Sequence, residues 1–207
     1  MAASPRDVFI NCPFDDAYAA SFRALVFAVL ACGFRARCAL EMMDAAETRI
    51  DKLYRIIEQS RFGIHDISRT EPDPDSGLPR FNMPFELGIF LGARRFGEDD
   101  QKQKRAIVLD REKYRYQQFI SDLAGVDVTA HNGEPRQMIG CVRDFLTTSS
   151  RRRTIPTTIF LLDSYDRFVA GLPAIAANAG LDAGDIRFPD LERLILAWVK
   201  NNHGLGA

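Results

Sequence analysis

Five short runs of β-branched and aromatic residues alternate with helical patterns along roughly the first two thirds of the chain. Strands that are joined through helices form a parallel sheet, and the right-handed sense of such crossovers places helices on both faces. The alternation therefore predicts an α/β fold. The strand runs are residues 8–10, 34–40, 62–68, 106–110 and 126–130, and the helical patterns are residues 15–33, 48–60, 84–93, 114–123 and 135–146.

The alternation stops at residues 147–156, where three consecutive arginines interrupt it. We interpret this segment as a solvated linker and predict an α/β domain at residues 1–148. The C-terminal helical extension then covers residues 149–207. Its helical patterns are residues 159–171 and 189–202, with a further short helix at residues 174–179.

The composition excludes several classes of partner. The formal net charge is -1, so the chain has no overall positive field for nucleic acid or an anionic membrane surface. No apolar run is long enough to span a bilayer, and the first residues lack the hydrophobic region of a secretion signal. The four cysteines lack metal-ligand spacing, so we expect reduced thiols and a cytoplasmic protein.

The most apolar helical pattern, residues 81–93, carries one carboxylate, Glu86. Pro84 suits a first helical position, which would put Glu86 in the first turn. There it could complement the helix dipole, or it could line a cleft, because a carboxylate on so apolar a helix needs solvent or a cavity. Gly88 and Gly92 lie one turn apart and predict a stripe that a strand or a ligand can approach closely.

Polar side chains gather where the predicted strands end. In a wound parallel sheet, ligands bind at the carboxyl ends of the strands, and a helix that starts there adds unpaired N–H groups. No glycine-rich phosphate loop follows the first strand, and the histidines are too scattered for a metal site. The candidates are Asn11, Cys12 and Asp15 after the first strand, Asp66 and Ser68 after the third, and Asn82 at the next helix start. We expect Asp66 to bond to its own loop, and His65 to be packed.

Two motifs resemble a known family. Residues 7–12, DVFINC, resemble the first box of Toll/interleukin receptor (TIR) domains. Residues 66–68, DIS, followed by Asn82 and by ELG at residues 86–88, are similar to a pattern shared by TIR-like and nucleoside 2-deoxyribosyltransferase-like proteins. Asn82 and Met83 stand where a Trp-Cys pair often precedes the TIR glutamate, so the nucleoside-processing relatives stay open as an alternative.

The resemblance covers residues 7–146 and implies a flavodoxin-like sheet of five parallel strands. It also implies that Glu86 cleaves an N-glycosidic bond by stabilising an oxocarbenium-like transition state. The implied substrate is NAD or a related nucleotide. The implied enzyme is a hydrolase or cyclase of bacterial immune signalling, and it needs no cofactor and no metal. The residues implied to bind the substrate are Asn11, Cys12, Asp15, Asp66, Ser68 and Asn82. The alternatives are a nucleoside or nucleotide N-glycosidase or deoxyribosyltransferase, and a non-catalytic nucleotide-binding or protein-interaction module.

TIR-like enzymes complete their sites by packing protomers together, so the resemblance also implies a homo-oligomer. Two surfaces are candidates: the loop at residues 40–48 and the C-terminal arm. The arm either covers its own domain or forms a symmetric dimer. We expect the dimer, because helices should already cover both faces of the sheet. The apolar residues are Met42 and Met43 in the loop, and Leu191, Leu194, Ile195 and Trp198 in the arm.

Overall fold

The computed structural model describes residues 3–41, 44, 46–73 and 77–202. A single sheet of five parallel strands forms its centre. The strands are β1 (Ser4–Asn11), β2 (Arg35–Arg37), β3 (Ser60–Asp66), β4 (Arg105–Asp110) and β5 (Val128–Ala130). Across the sheet their order is β2-β1-β3-β4-β5, which is the flavodoxin-like order. The predicted fold class is confirmed.

Helices follow the strands in the expected alternation. They are α1 (Ala19–Ala31), α2 (Arg49–Gln59), α3 (Asn82–Phe96), α4 (Asp99–Lys102), α5 (Pro135–Ser149), α6 (Thr158–Asn178) and α7 (Phe188–Asn202). Short 3-10 helices cover Asp16–Tyr18, Arg115–Gln118 and Ser121–Leu123. Within the described ranges, no helix has both the length and the apolar character needed to cross a bilayer.

The side-chain period of two divides the core between the two faces of the sheet. Val8 and Ile10 of β1 join the larger cluster, which α1, α5, α6 and α7 cover. Phe9 points to the opposite face and packs with side chains of α2 and α3, including Ile56 and Phe90. Both faces are therefore covered, as the strand–helix alternation predicts.

His65 lies on the face of β3 that α3 covers, and it is fully buried. Its ring meets Phe9 and Phe90 edge to face, with centroids 5.8 Å and 4.9 Å away. Gly63 provides the room, because a Cβ there would lie 2.5 Å from His65 Nε2 and 2.9 Å from the Phe90 ring. Burial, with a smaller effect of Lys104, lowers the pKa of His65 to about 3. The prediction that this histidine is packed is confirmed.

Helix α3 begins earlier than the proline suggests. Phe81 is the N-cap residue, and its carbonyl accepts the first helical bond, from the Phe85 N–H at 3.0 Å. Pro84 is thus the third helical residue, where its missing N–H costs nothing because the first four N–H groups have no partner in the helix. Glu86 is the fifth residue, so its predicted place in the first turn is wrong. A dipole-capping role loses its basis, since that effect fades beyond the first turn.

The glycine stripe of α3 meets no other described segment. Apart from the neighbouring backbone of α3 itself, no described atom lies within 4 Å of a Cβ built at Gly88 or Gly92. The side chains of Phe85 and Phe96 on the same helix are also exposed. No described strand approaches this stripe, and the approach of a ligand stays a prediction.

Strand β2 lies at an edge of the sheet, and its two arginines differ in exposure. Arg35 is exposed, whereas Arg37 is buried and pairs with Asp7 at 2.7 Å and with Glu41 at 2.6 Å. These two carboxylates compensate the buried charge of Arg37.

Residues 114–123 form two 3-10 turns instead of the predicted α-helix. Tyr114 adopts a left-handed φ of 64°, which no continuous helix contains. The side chain of Arg115 turns back to Asp110, and Tyr116 donates to the Val126 carbonyl at 3.1 Å. These contacts hold the segment against the end of β4.

The C-terminal extension packs on α1. Helix α6 continues through Pro173, so the separate helix predicted at residues 174–179 is wrong. The apolar stripe of α7 is buried within its own chain, and Trp198 donates to Ser164 Oγ at 3.0 Å. The stripe therefore covers its own domain and offers no free face for the expected dimer. The division at residue 148 stays a prediction, and Met42 and Met43 lie outside the described residues.

Candidate functional site

A cleft of about 440 Å³ opens at the carboxyl edge of the sheet, between the end of β1 and the start of α3. A volume of this size suits a small-molecule site. Among the described residues, ten line it: Cys12, Pro13, Phe14, Asp15, Leu40, Arg49, Arg80, Asn82, Met83 and Glu86. Four of the seven predicted site residues are thus brought together here, namely Cys12, Asp15, Asn82 and Glu86.

Glu86 is the most perturbed acid of this cleft. It is only 7% exposed, and its carboxylate forms no hydrogen bond or ion pair with any residue that the structure describes. Burial raises its pKa to about 7, against a smaller opposing effect of Arg49. A strongly shifted carboxyl group in a cleft is typical of a functional position, because an unpaired buried charge otherwise costs stability.

Asn11 lies behind the cleft and does not line it. Its amide Nδ2 donates to the Met83 carbonyl at 2.8 Å and lies 3.1 Å from His65 Nδ1. Met83 belongs to the first turn of α3, so Asn11 fixes the start of the Glu86 helix against the end of β1. In this structure Asn11 contacts the protein and positions Glu86.

Asp66 lies at the centre of a buried polar cluster. It accepts hydrogen bonds from the Tyr18 hydroxyl and from the Ser68 N–H, the latter at 2.8 Å. His131 Nε2 lies 3.2 Å from the same carboxylate without hydrogen-bond alignment, so that contact is electrostatic. Burial alone would raise the pKa of Asp66, but the contacts with His131, Tyr18 and Ser68 lower it. The predicted bond of Asp66 to its own loop is present.

The tautomer of His131 follows from its other ring nitrogen. Nδ1 accepts the N–H of Gly133 at 3.0 Å, so in the neutral ring the proton is assigned to Nε2, facing Asp66. The cluster thereby joins the end of β3 to residues that follow β1 and β5. Neither Asp66 nor Ser68 lines the cleft, and both hold the loop beside it.

Two arginines hold the loops around the site. Arg115 bonds Asp110 at 2.7 Å and the Ser68 carbonyl at 2.6 Å. Arg69 pairs with Asp15 at 3.1 Å, which connects the loop after β3 to the cleft. Arg80, which lies in the loop between β3 and α3, also lines the cleft.

Sequence reasoning missed the cations and the buried cluster. Arg49 and Arg80 line the cleft, whereas Tyr18, His131 and Arg115 support it. Arg49 and Arg80 lie beside segments that were already expected at this edge of the sheet. An arginine next to a predicted site at a strand end was therefore a usable signal for a cation in the site. The Tyr18–Asp66–His131 contacts join residues far apart in the chain and left no local pattern.

Cys12 and Glu86 are the two side chains of this lining that we compare as reactive groups. Cys12 is a buried thiol whose pKa is raised well above its ordinary value, first by burial and then by the charge of Asp66, so it is a poor nucleophile. Among the described residues, no group of three or more histidine, cysteine or acidic side chains could hold a metal ion. Glu86, faced by Arg49 and Arg80, is therefore the centre of the chemistry that this cleft can support.

No protein-family model, curated protein or solved structure matches the chain. Its function is therefore inferred from the geometry of its own residues and from the motif resemblance.

Proposed function

We propose that this chain is a TIR-like enzyme that cleaves the N-glycosidic bond of NAD or a related nucleotide, as a hydrolase or an ADP-ribosyl cyclase. The observation that carries the proposal is the buried carboxylate of Glu86, which has no polar partner among the described residues and lies in a cleft at the carboxyl edge of the sheet. The DIS, Asn82 and ELG motif supports it, because the resemblance assigns the cleaving glutamate to this residue.

The chemistry needs little more than one carboxylate. Departure of the base leaves positive charge on the ribosyl C1′ and the ring oxygen, and a nearby anion stabilises that charge or traps it covalently. Burial of Glu86 strengthens this attraction, because charges interact more strongly where the effective dielectric constant is lower than that of water. Nicotinamide in NAD leaves as a neutral base from a cationic precursor, so its departure needs no general acid.

The cations of the cleft favour a phosphorylated substrate. Arg49 lines the same cavity as Glu86, and so does Arg80, which also lies 3.8 Å from Asp15 and 3.4 Å from Asp73. Guanidinium groups bind phosphate oxygens through paired hydrogen bonds. Asn82, also in the lining, can bond ribose hydroxyls through its amide. The proposal therefore assigns substrate binding to Arg49, Arg80 and Asn82, and positioning to Asn11, Asp66 and Ser68.

A substrate panel tests the proposal. Purified protein is incubated with NAD, with nicotinamide mononucleotide and with ribo- and deoxyribonucleosides, and the products are separated by chromatography. Release of nicotinamide supports NAD cleavage. Release of base from nucleosides alone supports the second candidate, a nucleoside N-glycosidase or deoxyribosyltransferase, which Asn82-Met83 in place of Trp-Cys favours. A ligand-induced thermal shift without turnover would instead identify a non-catalytic nucleotide-binding module.

The proposal also covers the oligomeric state of the protein and its cellular compartment. A homodimer that shares its site is expected from the TIR resemblance, through a surface other than the buried α7 stripe. Light scattering of the full chain is expected to give the mass of two protomers, and a single-protomer mass at high concentration would contradict it.

The four cysteines are free thiols, which is compatible with a cytoplasmic enzyme.

A further inference from the structure

A second cavity, of about 510 Å³, adjoins the Glu86 cleft. The two cavities share three lining residues, Phe14, Asp15 and Leu40. The outer wall of the second cavity comes from the C-terminal extension, through residues 186–188 and Leu191. The two cavities are therefore neighbours, and a ligand that reached past Phe14 would have one end beside Glu86 and the other beside the extension.

Aromatic rings form one side of this second cavity. Phe14 and Phe22 meet edge to face with centroids 5.3 Å apart, and Phe22 lies 6.0 Å from Phe188. Rings held by such contacts give a preorganised apolar surface, on which the flat face of a nucleobase can stack. Phe188, the first residue of α7, is contributed by the extension.

Basic side chains complete the lining. Arg23, Lys52 and Arg187 all border the cavity. Within the described chain, neither Arg23 nor Arg187 forms an ion pair, so both guanidinium groups can bind an anion. Two acids, Asp15 and Asp16, also line it.

The charge of Asp15 is already compensated. Its two carboxylate oxygens lie 3.1 Å from Arg69 and 3.8 Å from Arg80. The cavity therefore keeps an excess of positive charge beside an aromatic wall, and this combination matches a nucleotide that carries phosphate groups.

We propose that the segment at residues 186–191 completes a second subsite, which binds the nucleoside diphosphate portion of a dinucleotide. This inference rests on the proposed function, because it places the scissile bond of the same molecule beside Glu86. It narrows the substrate to two nucleotides joined through phosphates. The TIR resemblance covers residues 7–146 and does not reach this segment, so the wall that the extension contributes to the subsite is not implied by the resemblance.

Binding is tested with ADP as the probe, because ADP carries the diphosphate and a base but no nicotinamide. Isothermal titration uses the full-length chain, its Arg187→Glu variant and the control Arg193→Glu. Arg193 is an exposed arginine of α7 that pairs with Asp190 and lines neither cavity. We expect the Kd for ADP to rise at least about tenfold in Arg187→Glu and less than about twofold in the control. Chromatography checks that the ADP stays intact, and thermal unfolding checks that each variant is folded.

Kinetics give the second readout and separate the two proposals. The ratio of kcat/KM for NAD to kcat/KM for nicotinamide mononucleotide is expected to fall at least about tenfold in Arg187→Glu and to stay constant in Arg193→Glu. If ADP binding weakens in Arg187→Glu but no substrate is cleaved, the subsite is supported and the proposed function is overturned. If NAD is cleaved while ADP binding and the kinetic ratio do not respond to Arg187→Glu, the subsite is overturned and the proposed function stands. Absence of both ADP binding and cleavage overturns both.

Discussion

Replacing Glu86 with glutamine is expected to lower the turnover of NAD at least about 100-fold while leaving the fold intact. Removing a single group that stabilises developing charge typically costs on the order of 100- to 1,000-fold in kcat. Glutamine keeps the size of the side chain and loses the negative charge that faces the ribosyl cation. Steady-state release of nicotinamide measures the effect.

The same variant should also be more stable at alkaline pH. Burial raises the pKa of Glu86 to about 7 in the folded protein, above its ordinary value of 4.5. Between these two pH values the folded state binds more protons than the unfolded state, so the wild type loses free energy of unfolding as the pH rises. Glutamine does not titrate, so the variant does not lose this free energy of unfolding as the pH rises. Relative to the wild type, Glu86→Gln should therefore gain roughly 2–3 kcal/mol between pH 4 and pH 8.

Glu112→Gln is the matched control, because it removes an exposed carboxylate that lies outside the cleft. It should leave turnover unchanged. Full activity of Glu86→Gln would refute the catalytic assignment. A variant that is less stable than the wild type at every pH would indicate a structural role for this carboxylate.

Replacing Asp66 with alanine is expected to destabilise the fold by roughly 3–5 kcal/mol, which is the usual cost of removing one partner from a buried charged cluster. The Tyr18 hydroxyl and the Ser68 N–H would lose their acceptor, and His131 Nε2 would lose the carboxylate that lies 3.2 Å away. Chemical denaturation near neutral pH measures the loss. Asp163→Ala is the control, since Asp163 forms an exposed pair with Arg167, and it should cost less than about 1 kcal/mol.

The pH dependence of the stability lost in Asp66→Ala identifies the cause of that loss. The pKa of Asp66 in the folded protein is lowered from the ordinary value of 3.8. Below pH 3.8 the unfolded state binds the proton first, so the stabilisation by Asp66 is present above that pH and is lost as the pH falls through the folded pKa. The difference between wild type and Asp66→Ala should therefore shrink in acid. A difference that stays constant would assign the loss to packing alone.

Local patterns were enough to predict the sheet and the edge at which Glu86 lies. Parallel connection forces the ends of β1 and β3 to one edge, so Cys12, Asp15, Asn82 and Glu86 could be placed together. The start of α3 was missed because Pro84 is tolerated at its third position as readily as at its first.

Contacts between distant segments could not be predicted. Tyr18, Asp66 and His131 meet only once the sheet is assembled. The α7 stripe could equally have joined two chains or covered its own, and periodicity does not distinguish these outcomes. In the structure, Leu194 and Ile195 pack in the core cluster together with side chains of α1. Within the chain, the stripe therefore covers its own domain.

The pH dependence of nicotinamide release by the full-length protein tests the central claim most directly, because that claim requires Glu86 in its ionised form. With a pKa raised to about 7 by burial, Glu86 is protonated in mild acid. We therefore predict that kcat/KM for NAD falls about tenfold per pH unit below pH 7 and reaches a plateau above it, and that this transition is absent from the residual activity of Glu86→Gln. A profile without a transition near pH 7, or the same transition in Glu86→Gln, would contradict the account.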